Sequence, residues 1–354
     1  YQEDIHAITS KTDFPWDAFV HAGSNHLVLP AIYHKFHTCE LLDLFPPDLC
    51  DHLENVFQMN EDRNGQLLEQ AVKMDTDLRS AGIIPIFIKG VASLVLGIYT
   101  HPAERMLWDI DCVIPESRAR EAAEILRKAG YSHTAYREED LPFMHHFPTL
   151  SRPGSVAPVD LHYTPVAGDY GRYLGKWEER TGMGNNPPDV QLVSVGMEDM
   201  ALLNFLHSQV QDHGDYYARV ALKNLYEFHL ITGSGEFREW NPFHGGSMYR
   251  KLQNYRALAE KTFIPPSGPG MHYGVRTRNY LKRFDLNKSS RLYYAVSRFG
   301  RKLLYQAAYY LKLLSRAILH KKYRRYVIVR LGDRAWPRSH YRQLRRLFGA
   351  RPIL

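Results

Sequence analysis

The stretch RMLWDIDCVI, residues 105–114, decides the fold. Its second half reads as a short β-strand, and the period of two places Asp109 and Asp111 on one face while Ile110 and Cys112 point to the other. Two carboxylates this close repel each other and raise each other's pKa unless a cation compensates them. For oxygen ligands that cation is a hard Mg²⁺ or Mn²⁺. A third acid, Asp160, sits in VAPVDLHY (156–163), where Val159 and Leu161 bury on the opposite side. Three strand-borne acids can hold two ions about 3.5–4 Å apart, the arrangement used for in-line phosphoryl or nucleotidyl displacement. An isolated Asp-x-Asp is a weak signal, so its surroundings carry the argument.

Upstream, IIPIFI (83–88) has strand length and β-branched composition, with Pro85 placing it at a strand start or a sheet edge. It runs through Lys89-Gly90 into the short helical segment VASLVLGIY (91–99). Backbone N–H groups at such a helix start can cradle a phosphate, and Gly90 allows close approach. Lys89 can neutralise a phosphate oxygen, and Arg105 can clamp another in bidentate fashion. The bland alternatives are a solvated strand end for Lys89 and an ion pair with Glu104 or Asp109 for Arg105.

Downstream, SRAREAAEILRKAG (117–130) predicts a helix with Ser117 as N-cap and Gly130 beyond its end. HHFPTL (145–150) and VAPVDLHY then predict two strands joined by SRPGS. The order is that of a mixed sheet in an α+β or α/β core. Helical regions flank it on both sides. WDAFVHAGSNHLVLPAIYHKF, PPDLCDHLENVF and RNGQLLEQAVKMDTDLRSAG read as separate helices before the palm, and MEDMALLNFLHSQV and ARVALKNLYEFHLITG as helices after it. The expected division is 1–80 helical, 81–165 palm, 166–263 helical, and 264–354 a Pro/Gly-rich linker followed by a basic helical region.

Of 354 residues, 44% are hydrophobic and 23% charged, which excludes wholesale disorder and collagen-like repeats. The three cysteines form no CxxC pair, which argues against a disulfide framework and structural zinc. No run of about 18 apolar residues occurs, since Lys312 and Arg316 interrupt the best candidate. The sequence opens YQEDIHAITS, which does not read as a secretory signal. A reducing, cytoplasmic setting is expected. The net charge of +7 is unevenly placed: residues 301–354 hold fifteen Lys and Arg against the single acid Asp333, a formal +14, which leaves −7 on residues 1–300. In that tail Leu, Ile and Tyr alternate with cations at helical spacing, a pattern suited to RNA, an anionic membrane surface or an acidic protein. The alternative is an apolar stripe packed on the preceding domain with the cations in solvent.

As a set, IKGVASLVLGIY, RMLWDIDCVI, a helix ending KAGY, HH and PVDLHY resemble the bacterial uncharacterised nucleotidyltransferase family, within the DNA polymerase β-like superfamily. The resemblance extends from residue 14 to about residue 235. It implies a polymerase β-like palm in which Asp109, Asp111 and Asp160 are the catalytic acids. Asp109 and Asp111 hold Mg²⁺ or Mn²⁺ with the NTP phosphates, and Asp160 activates the acceptor hydroxyl as ligand or base. Two departures are visible: Lys89-Gly90 stands where the superfamily usually has Gly-Gly or Gly-Ser, and the interval to Asp109 is longer. Ser93 is then the substitute for a phosphate-binding serine. His162 shares the face of Asp160, where it either hydrogen-bonds a metal-bound carboxylate or the acceptor, or is an ordinary structural histidine. His145 and His146 alternate, so one at most should face the site, with His146 the candidate. His207, with Gln211, lies on a helix that would close over the nucleotide, and Lys223 reads as a helix-face ion pair with Glu227.

The expected activity is transfer of an NMP from an NTP to an acceptor hydroxyl or phosphate, with release of pyrophosphate. The acceptor is RNA or a biosynthetic small molecule or peptide. The rival readings are a silent nucleotide-binding scaffold and a γ-phosphotransferase using the same clamp.

Overall fold

A computed structural model describes residues 2–9, 14–134, 144–182, 191–238, 242–264 and 273–332. Before the palm come α1 (Gln2–Thr9), α2 (Trp16–Asn25), α3 (Leu29–Thr38) and α4 (Pro47–Arg79). The segment read as one helix from Trp16 is broken at Leu27, whose φ of 56° is left-handed. The two helices expected between Pro46 and Gly82 are instead one of 33 residues.

That fusion matters for the site. The C-terminal half of α4 buries Leu67, Ala71, Met74 and Leu78 against the palm. Its N-terminal half presents buried amides to the loops that precede the palm strands. Asn60 donates to the carbonyls of Ala103 (2.6 Å) and Arg105 (3.1 Å), and Asn64 to those of Pro102 and Arg105, each at 2.8 Å. Arg63 donates to the Leu107 and Val156 carbonyls, and Gln70 to the Ala157 carbonyl. One polar stripe thus satisfies backbone groups of two loops that would otherwise be buried without partners.

The palm contains β1 (Ile86–Phe87), α5 (Lys89–Val95), β2 (Ile110–Val113), α6 (Ala119–Lys128), β3 (Ser132–His133), β4 (Leu150–Ser151) and β5 (Val159–His162). The sheet order is β1-β2-β5-β4-β3; β2 and β5 run parallel and the other pairs are antiparallel. It is the mixed α+β sheet expected, although the strands are shorter than their apolar runs and β3 had no clear signal. Ile110, Cys112, Val159 and Leu161 are buried together on the α4–α6 side. Ser117 does not cap α6; it lies in a preceding 3₁₀ turn, and Arg118 occupies the cap position without a capping hydrogen bond.

After the palm come α7 (Met197–Phe205), which continues into a π-helical stretch at Leu206–Gln211, then α8 (Gly214–Tyr217), α9 (Leu222–Gly233) and α10 (Gly246–Phe263). The C-terminal region forms α11 (Val275–Ser289), α12 (Arg291–Leu319) and α13 (Lys321–Gly332). Most of the expected linker and the last part of the basic tail, 333–354, lie outside the described residues. Among the described residues no helix is long and apolar enough to cross a membrane.

The expectation that the apolar stripe of α12 packs inward is overturned. Leu292, Val296, Leu303, Leu311, Leu314 and Ile318 are exposed, while Arg301 faces the body and donates to the Tyr216 carbonyl at 2.9 Å.

Candidate active site

Parallel pairing of β2 with β5 sets Asp111 opposite Asp160 and Val113 opposite His162. Ligand atoms of Asp111, Asp160 and His162 all fall within 4.8 Å of one another, so the sheet register alone assembles a metal-spaced group. Asp109 is not one of that group; it precedes β2 and faces the adjoining cleft.

Lys89 Nζ donates to Asp111 Oδ1 at 2.6 Å, and His162 Nε2 lies 2.6 Å from the same oxygen. Burial alone would push the Asp111 pKa up, but the His162 hydrogen bond and the Lys89 ammonium outweigh it and hold the carboxyl well below its usual range. His162 is lowered, chiefly by burial and against the pull of Asp111, so the neutral imidazole serves as donor. Asp109 goes the other way, pushed up to about 6 by burial and by the neighbouring Asp111 charge. Asp160 Oδ1 accepts from Thr149 Oγ1 at 2.6 Å.

The adjoining cleft has a volume of ≈ 380 Å³, within the roughly 300–1,000 Å³ of small-ligand sites. Lys89 reaches it from a left-handed turn, φ 53°. Gly90 is required there by packing: a Cβ would stand 2.1 Å from Leu107 Cδ2. Gly90 also lines the cleft, where it leaves the backbone uncovered by a side chain. Ser93 is fully buried, donates to the Gly90 carbonyl and does not line the cleft, so the proposed phosphate serine is turned inward.

Arg105 does line the cleft, but it is buried and tied to Glu227 at 2.7 Å. Glu227 also accepts from Tyr99 and Asn204, and Tyr255 donates to Asn204. This network joins the palm to α7, α9 and α10. Because Glu227 pairs with Arg105, Lys223 is not held as its helix-face partner and instead lines the cleft, where burial and the Arg105 charge bring its pKa down to about 8. His26, buried between α2 and α3, accepts from the Leu222 N–H at the start of α9 and so fixes Lys223 in place. Sequence spacing gave no sign of either contact, since they span 122 and 196 residues.

His207 and Gln211 line the cleft from the π-helical stretch, a distortion frequent at functional sites. His207 pairs with the Pro165 carbonyl at 3.0 Å, and burial lowers it to about 3. Trp108, which the sequence reading passed over, lines the cleft and is 59% exposed. The rings of His145 and His146 both stand 5.3 Å from that of His162, and neither lines the cleft.

The donor set fits a divalent cation. Asp111 and Asp160 offer hard oxygen ligands beside His162, and the buried His162 Nδ1 has no hydrogen-bond partner among the described residues. The cleft is also lined by four carboxylates, Asp109, Asp111, Asp212 and Glu227, against three cations, Lys89, Arg105 and Lys223. A polyanion therefore needs further positive charge to enter.

A mixed sheet with acids paired across its central parallel strands, beside a lysine-bearing turn, defines a nucleotidyltransferase palm. The chain belongs to the uncharacterised nucleotidyltransferase family, which matches residues 12–243, and it is a transferase. Among solved structures it is similar to the antibiotic-resistance factor ANT(2'')-Ia, with 12% identity over 56% of this chain and 94% of that chain and a TM-score of 0.35. No curated protein matches the chain.

Proposed function

We propose that this transferase moves an NMP from an NTP to an acceptor hydroxyl and releases pyrophosphate, with Mg²⁺ or Mn²⁺ held by Asp109, Asp111 and Asp160. The observation that carries the reading is the register of Asp111 against Asp160 at the edge of a cleft bearing Lys89, Lys223 and Trp108. When bound, the divalent ions supply the charge that lets a triphosphate enter and that stabilises the transition state.

The chain's own residues then act by position and charge. Trp108 offers its exposed face to the base. Lys89 and Lys223 meet the phosphates; Lys89, now paired with Asp111, exchanges that carboxylate for a phosphate oxygen. His162 holds Asp111 in its orientation through Nε2. Asp160, fixed by Thr149, receives the proton of the acceptor hydroxyl as its oxygen attacks the α-phosphorus in line with the departing pyrophosphate. The retention of all three acids, with cations placed against them, disfavours a silent scaffold.

Incubation with α-³²P-labelled NTPs, Mg²⁺ or Mn²⁺ and cellular extract tests the reading. Label transfer with pyrophosphate release is expected, and Asp109→Asn should abolish it. Full activity in Asp109→Asn, or NDP as the product, would overturn it; NDP would indicate γ-phosphoryl transfer.

A further inference from the structure

A second and larger concavity lies beyond the carboxylates. This groove, ≈ 910 Å³, runs between the palm and the two C-terminal helices. His145 lines it, with its ring 5.3 Å from that of His162, and His162 contacts Asp111; Tyr163 and Thr164 continue directly from β5 into its wall. The contacts His145–His162–Asp111 thus link the groove to the paired acids. The cleft assigned above to the NTP is a separate concavity, and the groove has no assigned ligand.

The far wall of the groove is the charged arc of α12. Lys312 and Arg316 lie one turn apart and line it with Tyr309, while the apolar arc of the same helix faces outward. Neither Lys312 nor Arg316 pairs with a carboxylate among the described residues; Arg316 is held against Tyr323 by a 3.0 Å hydrogen bond and a cation–π contact. Tyr323 and Tyr326 from α13, Tyr163 next to β5 and Tyr170 from the turn that follows the palm complete an aromatic lining. Cations interleaved with aromatic rings in an elongated groove suit a strand of phosphates and unpaired bases, because every base has a face to stack. The two acids in the lining, Glu116 and Asp169, can accept from exocyclic base amines.

We propose that this groove is the acceptor site and that its occupant is the 3′ end of a single-stranded nucleic acid. The inference rests on the nucleotidyl-transfer reading above. The terminal hydroxyl oxygen forms a bond to the α-phosphorus of the NTP, the bond from that phosphorus to the bridging oxygen of pyrophosphate breaks, and the hydroxyl proton passes to Asp160. The strand leaves longer by one nucleotide.

Fluorescein-labelled RNA and DNA oligonucleotides of one mixed sequence, each single-stranded or in duplex, test this by anisotropy with the full chain. Single strands should bind more tightly than duplexes, with affinity falling linearly on a log–log salt plot. Lys312→Glu and Tyr309→Ala, both at exposed positions, should each weaken the single strand about tenfold, and Lys312→Glu should also flatten the salt slope. ATP affinity in Mg²⁺ is measured alongside. Intact metal-dependent ATP binding without oligonucleotide binding, unchanged affinity in both variants, or label arriving on glycan, lipid or protein would overturn the acceptor assignment while leaving nucleotidyl transfer standing. Loss of metal-dependent ATP binding in the parent protein would instead remove the reading beneath it.

Discussion

Asp111 and Asp160 face each other across the parallel β2–β5 pair, and the ammonium of Lys89 lies 2.6 Å from Asp111. An internal cation thus already compensates one of the two paired carboxylates. Replacing Asp160 by Asn keeps the hydrogen bond from Thr149 but removes the proton acceptor. Pyrophosphate release should fall by about 10²–10⁴-fold, with a melting temperature close to that of the parent. Parent-like turnover would exclude Asp160 as the base.

Trp108 is a large aromatic surface left exposed at the cleft. Stacking of a base on such a ring contributes about 1–3 kcal/mol. Trp108→Ala should raise the Kd for NTP by roughly 5- to 150-fold, and NTP should quench tryptophan fluorescence in the parent but far less in the variant. An unchanged Kd would place the base elsewhere.

Lys223 titrates near pH 8 in the folded protein because burial and Arg105 disfavour its charge. In the unfolded chain it keeps its proton to about pH 10.4. Between these values the unfolded state holds more protons, so this group adds stability as pH rises through the window. NTP affinity should move oppositely, falling above about pH 8 as the cation is lost. Because a bound triphosphate favours the charged form, binding near that pH takes up a proton, which calorimetry in buffers of different ionisation enthalpy will register. Lys223→Met should remove both the uptake and the alkaline fall in affinity.

Glu227 and Arg105 are both buried and bonded at 2.7 Å. Glu227→Ala leaves the guanidinium without its counter-charge and should cost about 3–5 kcal/mol of stability. Glu227→Gln retains hydrogen-bond acceptance and should cost less. Denaturant titration of the two variants separates them; equal, small losses would show that Arg105 finds compensation elsewhere.

Much of the palm could be read directly from the chain. Alternation is a local property, so DIDCVI and VDLHY announced both the buried face, Ile110, Cys112, Val159 and Leu161, and the acids on the other. Composition likewise located the cationic tail, because charge counts need no fold. The resemblance to a nucleotidyltransferase family followed from motifs in fixed order between residue 14 and about residue 235, and the family matches residues 12–243.

What the tertiary structure decided were contacts between residues far apart in the chain. Arg105 resembled a phosphate clamp until Glu227 was brought against it, and that pairing turned Lys223 from a helix-face partner into a cleft cation. Ser93 pointed inward because its helix buries that face, and Gly90 answered to Leu107. The outward apolar arc of α12 was equally hidden, since a helical stripe records amphipathicity but not which side a neighbour attracts. Periodicity fixes the face of an element on which a side chain lies; only packing in three dimensions determines what that face meets.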